Sequence, residues 1–181
     1  MDVYIAERYR GVDADELLQV AERRGRELGE AIVEEFAREA PGVEPEIIWL
    51  AGYANDDYTL HNALFRGLTS VRHGGLHIAT EALYTTADPG RIAQVHEDVS
   101  QFGLAHAGDA DFWRERCGVA HGSWPVYGGA DRCLTPDQVR IQTREFAEVE
   151  PASRYMWWYT GSWLNFEDPE WTGYRAAYTG E

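Results

Sequence analysis

The sequence predicts an α/β fold in which parallel strands alternate with helices. Short apolar runs recur along the chain, and stretches with the apolar spacing of an amphipathic helix separate them. No Ser/Gly-rich linker divides the 181 residues, and 44% of them are hydrophobic, so the chain can bury one core. We therefore predict a single α/β domain over residues 1–181, because this alternation is typical of parallel strands joined by right-handed crossovers.

The first half of the chain predicts a strand, a long helix, a second strand and a second helix. Val3–Ala6 is a candidate strand that ends at Glu7. The segment Asp13–Arg38 has apolar residues at helical spacing behind a capping aspartate. The continuous apolar run Ile47–Ala51 is typical of a strand covered on both faces. Apolar residues spaced on one helical stripe from Leu60 to Val71 predict the next helix.

The second half of the chain repeats this order. After a Gly-Gly break, Leu76–Thr80 predicts a buried strand that leads directly to Glu81. A capping residue precedes proline at Asp88 and again at Thr135, and both pairs predict the start of a helix. The remaining predicted elements are a helical turn, a weaker strand, an aromatic last strand and a closing helix, at Asp111–Arg116, Gly118–His121, Tyr155–Tyr159 and Asp168–Tyr178.

Strands in this order fit two architectures. One is an open doubly wound sheet, but no glycine-rich phosphate loop follows any of the predicted strands, which disfavours nucleotide binding. The other is a partial (β/α)8 (TIM) barrel, because about five βα units are what remains of the eight when the first three are absent. An incomplete barrel exposes strand edges and apolar surface, so in that case we expect self-association.

Charge and hydropathy restrict the partners and the location. The chain has 16 basic and 31 acidic residues, a net charge of −15, and no Lys. Such a surface repels phosphate, so we expect neither nucleic acid nor a membrane as a partner. Lysine depletion is typical of halophilic proteins or of a GC-rich genome, and we favour the halophilic interpretation. A cytoplasmic location is the default expectation, since neither a signal peptide nor an apolar run of about 20 residues is seen.

Carboxylates at strand ends are the main functional signal. Glu81 follows the best-defined strand, Glu7 follows the first, and Asp56 lies shortly after the second. In a barrel, residues just past the strands face the substrate. Hydrolysis of a glycosidic bond needs two carboxyl groups, about 5 Å apart for retention of configuration or about 6.5–9.5 Å for inversion. We predict Glu81 as a catalytic residue, with Glu7 or Asp56 as its partner; alternatively, an isolated Glu of this kind is only a helix cap or a surface ion pair.

Aromatic residues near the predicted strand ends indicate where a sugar would stack. Sugars present apolar C–H faces that pack on aromatic rings, while polar ring edges can reach hydroxyls. The alternative interpretation, that these rings are core, is preferred for Trp157 and Tyr159. The predicted substrate-binding residues are Tyr53, His77, His121, Trp124, Trp158 and Trp163.

A metal site is the weaker alternative. His73 and His77 lie on opposite sides of a Gly-Gly break instead of on one helix. Cys117, His121 and Cys133 lack the closely spaced cysteine pairs of structural zinc sites. We therefore predict neither a metal nor another cofactor, and keep a metal-dependent hydrolase only as a lesser alternative.

Three stretches resemble the C-terminal portion of glycoside-hydrolase-like (β/α)8 barrel proteins: Gly75–Glu81, Asp111–Cys117 and Tyr155–Tyr159. The resemblance covers most of the chain, although the early strands of the barrel are absent. It implies a carbohydrate substrate, hydrolysis of O-glycosidic bonds and strand-end carboxylates as the catalytic pair. The alternative is a non-catalytic carbohydrate-binding or interaction protein on a degenerate barrel.

Overall fold

The computed structural model describes residues 11–50, 59–124, 134–150, 156–158 and 172–179. Its helices are α1 (Ala14–Glu39), α2 (Thr59–Leu68), α3 (Pro89–His106), α4 (Ala110–Arg116), α5 (Pro136–Val149) and α6 (Thr172–Thr179). Its strands are β1 (Glu46–Trp49), β2 (Gly75–Thr80), β3 (Gly118–Ser123) and β4 (Met156–Trp158). Among these helices, none combines the length and the apolar character that a membrane span requires.

The described strands form one sheet in the order β1-β2-β3-β4, which is also their order in the chain. Strands β3 and β4 are parallel, with Ser123 opposite Trp158 and His121 opposite Met156. At least one helix separates each strand from the next. The predicted alternation of strands and helices is therefore confirmed in this part of the chain. The predicted first strand, Val3–Ala6, lies outside the described residues.

Local capping explains where the helices begin. Asp13 accepts hydrogen bonds from two backbone N–H groups in the first turn of α1. The Asp88 carboxylate accepts one from the backbone N–H of Arg91 at 2.6 Å, just before α3. At the start of α5, Thr135 and Gln138 form a complete capping box. These contacts satisfy N–H groups that have no partner within the helix, and the three predicted helix starts are confirmed.

Two predicted strands differ in detail from the observed ones. Strand β1 was predicted to be covered on both faces, but Ile48 is 47% exposed, so this prediction is wrong. Strand β1 lies at one end of the described sheet, where fewer neighbouring elements are present to cover its side chains. Strand β3 extends to Ser123 instead of ending at His121, and all six of its residues are buried.

Contacts divide the chain into two compact units. Within the described residues, the first unit contains 11–49, 59–77 and Gln101–Gly118. The second unit contains Leu50, Ile78–Ser100, 119–124, 134–150, 156–158 and 172–179.

In the first unit, helices α1 and α2 pack backbone against backbone. A Cβ atom at Gly25 would lie 2.0 Å from the carbonyl oxygen of Leu64. A Cβ atom at Gly67 would lie 1.8 Å from the carbonyl oxygen of Glu22. Both distances are far shorter than any real carbon–oxygen contact, so glycine is required at each crossing point.

The core of the first unit contains several aromatic rings, and arginine ion pairs lie at its surface. Phe65 is 1% exposed. Its ring centroid lies 6.1, 6.4 and 5.9 Å from those of Trp49, Phe102 and Trp113. At the surface, the Arg72 guanidinium forms ion pairs with Asp109 and Glu115, each at 3.0 Å. Thr69 and His73 are also buried in this unit, and their side chains hydrogen-bond to backbone groups.

Candidate active site at the ends of strands β2 and β3

Glu81 is the first residue after β2, and a short turn fixes its carboxylate. The backbone N–H of Tyr84 donates to the carbonyl of Glu81 at 3.3 Å, which reverses the chain. The Tyr84 hydroxyl then donates to Glu81 Oε1 at 2.9 Å. None of the described residues hydrogen-bonds to Oε2, and the Glu81 side chain is only partly buried. The turn thus orients the carboxylate and leaves one of its oxygens for a ligand.

Trp124, the first residue after β3, joins the same group. Its backbone N–H donates to the carbonyl of Tyr84 at 2.9 Å. The rings of Tyr84 and Trp124 meet edge to face, with centroids 5.3 Å apart and an interplanar angle of 83°. Such T-shaped aromatic pairs stabilise each other beyond the burial of their area. We call Glu81, Tyr84 and Trp124 the strand-end cluster.

The strand-end cluster lies where parallel α/β sheets place their chemistry. In such sheets the carboxyl ends of neighbouring strands meet at one edge, and substrates bind there. Trp158 is the last residue of β4 and lies opposite Ser123, the last residue of β3. The chain positions that carry Glu81, Trp124 and Trp158 are therefore all strand ends or the residue that follows one.

The chemistry of the cluster suits a neutral polyol. An oriented carboxylate oxygen can accept a sugar hydroxyl, protonate a leaving oxygen or attack an anomeric carbon. Trp124 is half-buried and its indole Nε1 is buried, so what the indole can offer a sugar is packing against a C–H face.

His121 faces the helices and belongs to the core of the second unit. Its side chain is 2% exposed, and its ring stacks on Phe146 at 4.6 Å between centroids. Its Nε2 atom lies 3.2 Å from Nδ1 of His96. Burial, followed by the proximity of His96, lowers the pKa of His121 to about 3. The imidazole is thus neutral at ordinary pH and presents no surface to a substrate, so we exclude it from the site that the sequence predicted.

His77 is also a core residue, in the first unit. The residue is 6% exposed, and Nε2 lies 3.6 Å from Oε2 of Glu46 on β1. We therefore also exclude His77 from the substrate site.

The described residues do not support a metal centre. No group of three or more His, Cys, Asp or Glu side chains converges among them in a way that could hold a metal ion. The Nδ1 atom of His73 accepts the backbone N–H of Gly75, and its ring meets Phe112 edge to face. Burial raises the pKa of the Cys117 thiol to about 12, so the sulfur is not a thiolate at neutral pH.

Several predicted site residues lie outside the described residues. They are Glu7, Tyr53, Asp56 and Trp163, together with Cys133 from the metal alternative. The pairing of Glu81 with Glu7 or Asp56 accordingly stays a prediction.

Sequence reasoning missed two residues that organise the cluster. Tyr84 lies three positions after Glu81, which is the spacing that a turn brings together. Gln142 is fully buried and hydrogen-bonds to the segment that carries Tyr84. A signal for Gln142 was present, because this polar residue interrupts the buried stripe of Val139 and Phe146 on α5.

The first unit contains a cavity. Its volume is about 390 Å³, and it is lined mainly by α1 and α2, including Asp15, Glu22 and Arg66. The lining mixes charges of both signs with amides, and it contains none of the residues that the sequence predicts for catalysis or sugar binding. We therefore locate the candidate site by its chemistry and not by the size of the cavity.

Comparison with known proteins gives no independent assignment: no protein-family model, no curated protein and no solved structure matches the chain.

Proposed function

We propose that the chain is a glycoside hydrolase-like protein that cleaves O-glycosidic bonds with Glu81 as one catalytic carboxyl group. The strand-end cluster carries this proposal. Its Glu81 carboxylate is oriented by the Tyr84 hydroxyl at 2.9 Å, beside the partly exposed indole of Trp124. Glycoside hydrolysis requires two carboxyl groups, of which the cluster supplies one, and an aromatic platform beside it suits the C–H face of a sugar ring.

Two roles are open to Glu81 in this proposal. As a nucleophile, its free oxygen attacks the anomeric carbon while the bond to the leaving oxygen breaks, and water later releases the sugar. As a general acid, it gives its proton to the leaving oxygen while water or a second carboxylate attacks. Either role needs a partner carboxyl group, for which we propose Glu7 or Asp56.

The proposed architecture is the later part of a (β/α)8 barrel. The order β1-β2-β3-β4 supports it, because consecutive strands are neighbours in a barrel, whereas a doubly wound sheet reverses direction at its switch point. The exposure of Ile48 on β1 and of Leu50 after it, at 47% and 59%, is consistent with an edge that another strand or a second copy covers. Self-association of an incomplete barrel stays part of the proposal.

A non-catalytic carbohydrate-binding protein is the second candidate function. It is favoured by the aromatic pair of Tyr84 and Trp124, which would hold a sugar without any second carboxylate. Both candidate functions predict binding of a glycan, but only the first predicts that the glycan is cleaved. Binding of a glycan that is recovered intact would select the second candidate.

The direct test is the variant Glu81→Gln, assayed with a panel of 4-nitrophenyl glycosides in both anomeric forms and with reducing-end release from polysaccharides. We expect wild-type turnover on at least one of these probes and a loss of at least about 1,000-fold in kcat for the variant. The matched control is Glu34→Gln, an exposed glutamate on α1, which should retain wild-type kcat. Equal kcat for Glu81→Gln and wild type would overturn the catalytic role.

Two further variants separate the roles inside the cluster. Tyr84→Phe removes only the hydroxyl that donates to Glu81 and keeps the ring against Trp124, so kcat should fall more than KM rises. Trp124→Ala removes the aromatic platform and should mainly raise KM. If no probe is turned over, titration of the same glycans by Trp fluorescence decides whether the binding function holds.

Azide rescue distinguishes nucleophile from acid. In Glu81→Gly, azide can enter the vacated space and accept the glycosyl group. If Glu81 is the nucleophile, the glycosyl azide has inverted configuration at the anomeric carbon. If Glu81 is the acid of a retaining enzyme, azide instead attacks the glycosyl-enzyme, and the product has retained configuration.

A further inference from the structure

We propose that Gln142 on α5 is a positioning residue of the strand-end cluster. The inference rests on the proposed function for its catalytic consequence, but its structural basis is independent. The Gln142 side chain is 0% exposed and reaches both chain segments that carry the cluster, the turn after β2 and the end of β3.

Each polar atom of the Gln142 amide is used. Its Nε2 donates to the carbonyl oxygens of Leu83 and Thr86, each at 2.7 Å. Its Oε1 accepts the hydroxyl of Ser123 at 2.5 Å. Both N–H donors of the Gln142 amide therefore have backbone carbonyl partners, and its own carbonyl oxygen has a hydroxyl partner. A carboxylate of the same shape could not make the first two bonds, and an apolar side chain could make none.

The three residues that Gln142 contacts are sequence neighbours of two members of the strand-end cluster. Leu83 and Thr86 lie on either side of Tyr84, whose hydroxyl holds the Glu81 carboxylate. Ser123 directly precedes Trp124. The Gln142 amide therefore holds the backbone next to Tyr84, which orients Glu81, and next to Trp124, the aromatic platform. Catalytic groups must be held within a fraction of an ångström of their productive position, because small displacements reduce turnover strongly.

The network continues beyond Gln142 to a second anchor. The Ser123 hydroxyl is also 3.0 Å from the hydroxyl of Tyr178 on α6. Tyr174, one turn earlier on the same helix, donates to the carbonyl of Leu134 at 2.7 Å. Helices α5 and α6 thus both contribute to holding the end of β3. In buried networks of this kind, removal of one partner leaves the others without hydrogen bonds in an apolar interior.

The test uses Gln142→Met and Gln142→Glu, which keep the side-chain length and remove both N–H donors. We expect kcat on the best glycoside probe to fall about 100-fold in the full-length chain, with a smaller change in KM. Ser123→Ala removes the third contact together with the contact to Tyr178, leaves both bonds of Gln142 Nε2 in place, and should reduce kcat less. Phe146→Leu is the control, because it alters a buried side chain one turn later on the same helix, where the ring stacks on His121. It should keep kcat at equal folded fraction.

Hydrogen exchange gives a readout that needs no substrate. In Gln142→Met, we expect faster amide exchange in a peptide covering residues 81–88 and in one ending at Trp124, with unchanged exchange in α1. Unchanged exchange in both peptides overturns the inference, as does a kcat equal to that of wild type. If exchange accelerates but wild type cleaves no probe, the proposed hydrolysis fails while the positioning role stands. If Gln142→Met does not fold, amide exchange and kcat of Ser123→Ala are compared with those of wild type instead.

Discussion

The two units of the molecule connect their buried polar side chains in different ways. The first unit has an aromatic core and surface ion pairs such as that of Arg72 with Asp109, and its buried Thr69 and His73 side chains bond to backbone groups. In the second unit, the buried side chains of Gln142 and Ser123 bond to each other as well as to neighbouring elements. Buried polar networks are costly unless their members are paired, but they fix one arrangement of the chain.

The difference indicates where precise geometry matters. In the second unit, the Gln142 network ends at the strand-end cluster that we propose as the active site. In the first unit, the closest approach is the helix crossing at Gly25 and Gly67, where backbone packs against backbone. Three predictions test this contrast.

The largest effect is expected at the helix crossing of the first unit. Gly67→Ala would place Cβ 1.8 Å from the carbonyl oxygen of Glu22, and neither backbone can move without separating the helices. We expect a loss of at least about 3 kcal/mol in the free energy of unfolding, measured by urea denaturation. Gly90→Ala is the control, because its Cβ would meet only the Asp88 carboxylate at 3.4 Å. Equal stability of the two variants would contradict the close crossing.

A smaller effect is expected from acid at the buried histidine of the second unit. The folded pKa of His121 is about 3, whereas the unfolded value is 6.5. Between these values the unfolded state binds one more proton at this site, so stability is fully present above pH 6.5 and falls as pH falls. Between pH 6.5 and pH 3, this extra proton lowers the free energy of unfolding by about 1.4 kcal/mol for each unit by which the pH falls.

The measurement compares urea unfolding of wild type and His121→Gln from pH 8 to pH 4.5. The neighbouring titratable groups, His96 and Glu150, are present in both proteins. The variant should show a flatter dependence on pH over the range below 6.5. Parallel curves for the two proteins would show that His121 does not keep its low pKa in the folded state.

The smallest effect is expected from salt, which acts on the surface of both units. Salt weakens ion pairs such as Arg72 with Glu115, but it also relieves the repulsion among 31 acidic residues facing only 16 basic ones. With a net charge of −15, relief of repulsion should prevail, and the urea midpoint should rise between 0.1 and about 2 M KCl. Sucrose at equal osmolality separates screening from solute exclusion. A midpoint independent of KCl would contradict the halophilic interpretation.

Much of the fold could be predicted because its signals are local. The helix starts at Asp13, Asp88 and Thr135 are set by side chains that bond to the next turn, and all three are confirmed. The predicted strand Leu76–Thr80 is observed within β2, where every residue is buried. Such features depend on a few neighbouring residues, which is why propensity and spacing suffice.

The candidate site was predictable only in part. Glu81 and Trp124 follow strands, so their place at the strand ends could be inferred from the chain alone. The sequence did not reveal which face of its strand each histidine occupies, and His77 and His121 are core residues instead of ligand contacts. Both faces of β2 and β3 are buried. The sequence of these strands therefore lacks the alternation of apolar and polar residues that would tell one face from the other.

By itself, the sequence determined the order of the elements, the helix caps and the strongly acidic surface, because each follows from nearby residues or from composition. Tertiary structure alone decided that Gln142, some 60 positions after the turn that it holds, bonds to Leu83 and Thr86, and that Tyr84 lies between Glu81 and Trp124. The physical reason is that these contacts join segments distant in the chain, and a buried amide finds its partners only when packing brings them within hydrogen-bond distance.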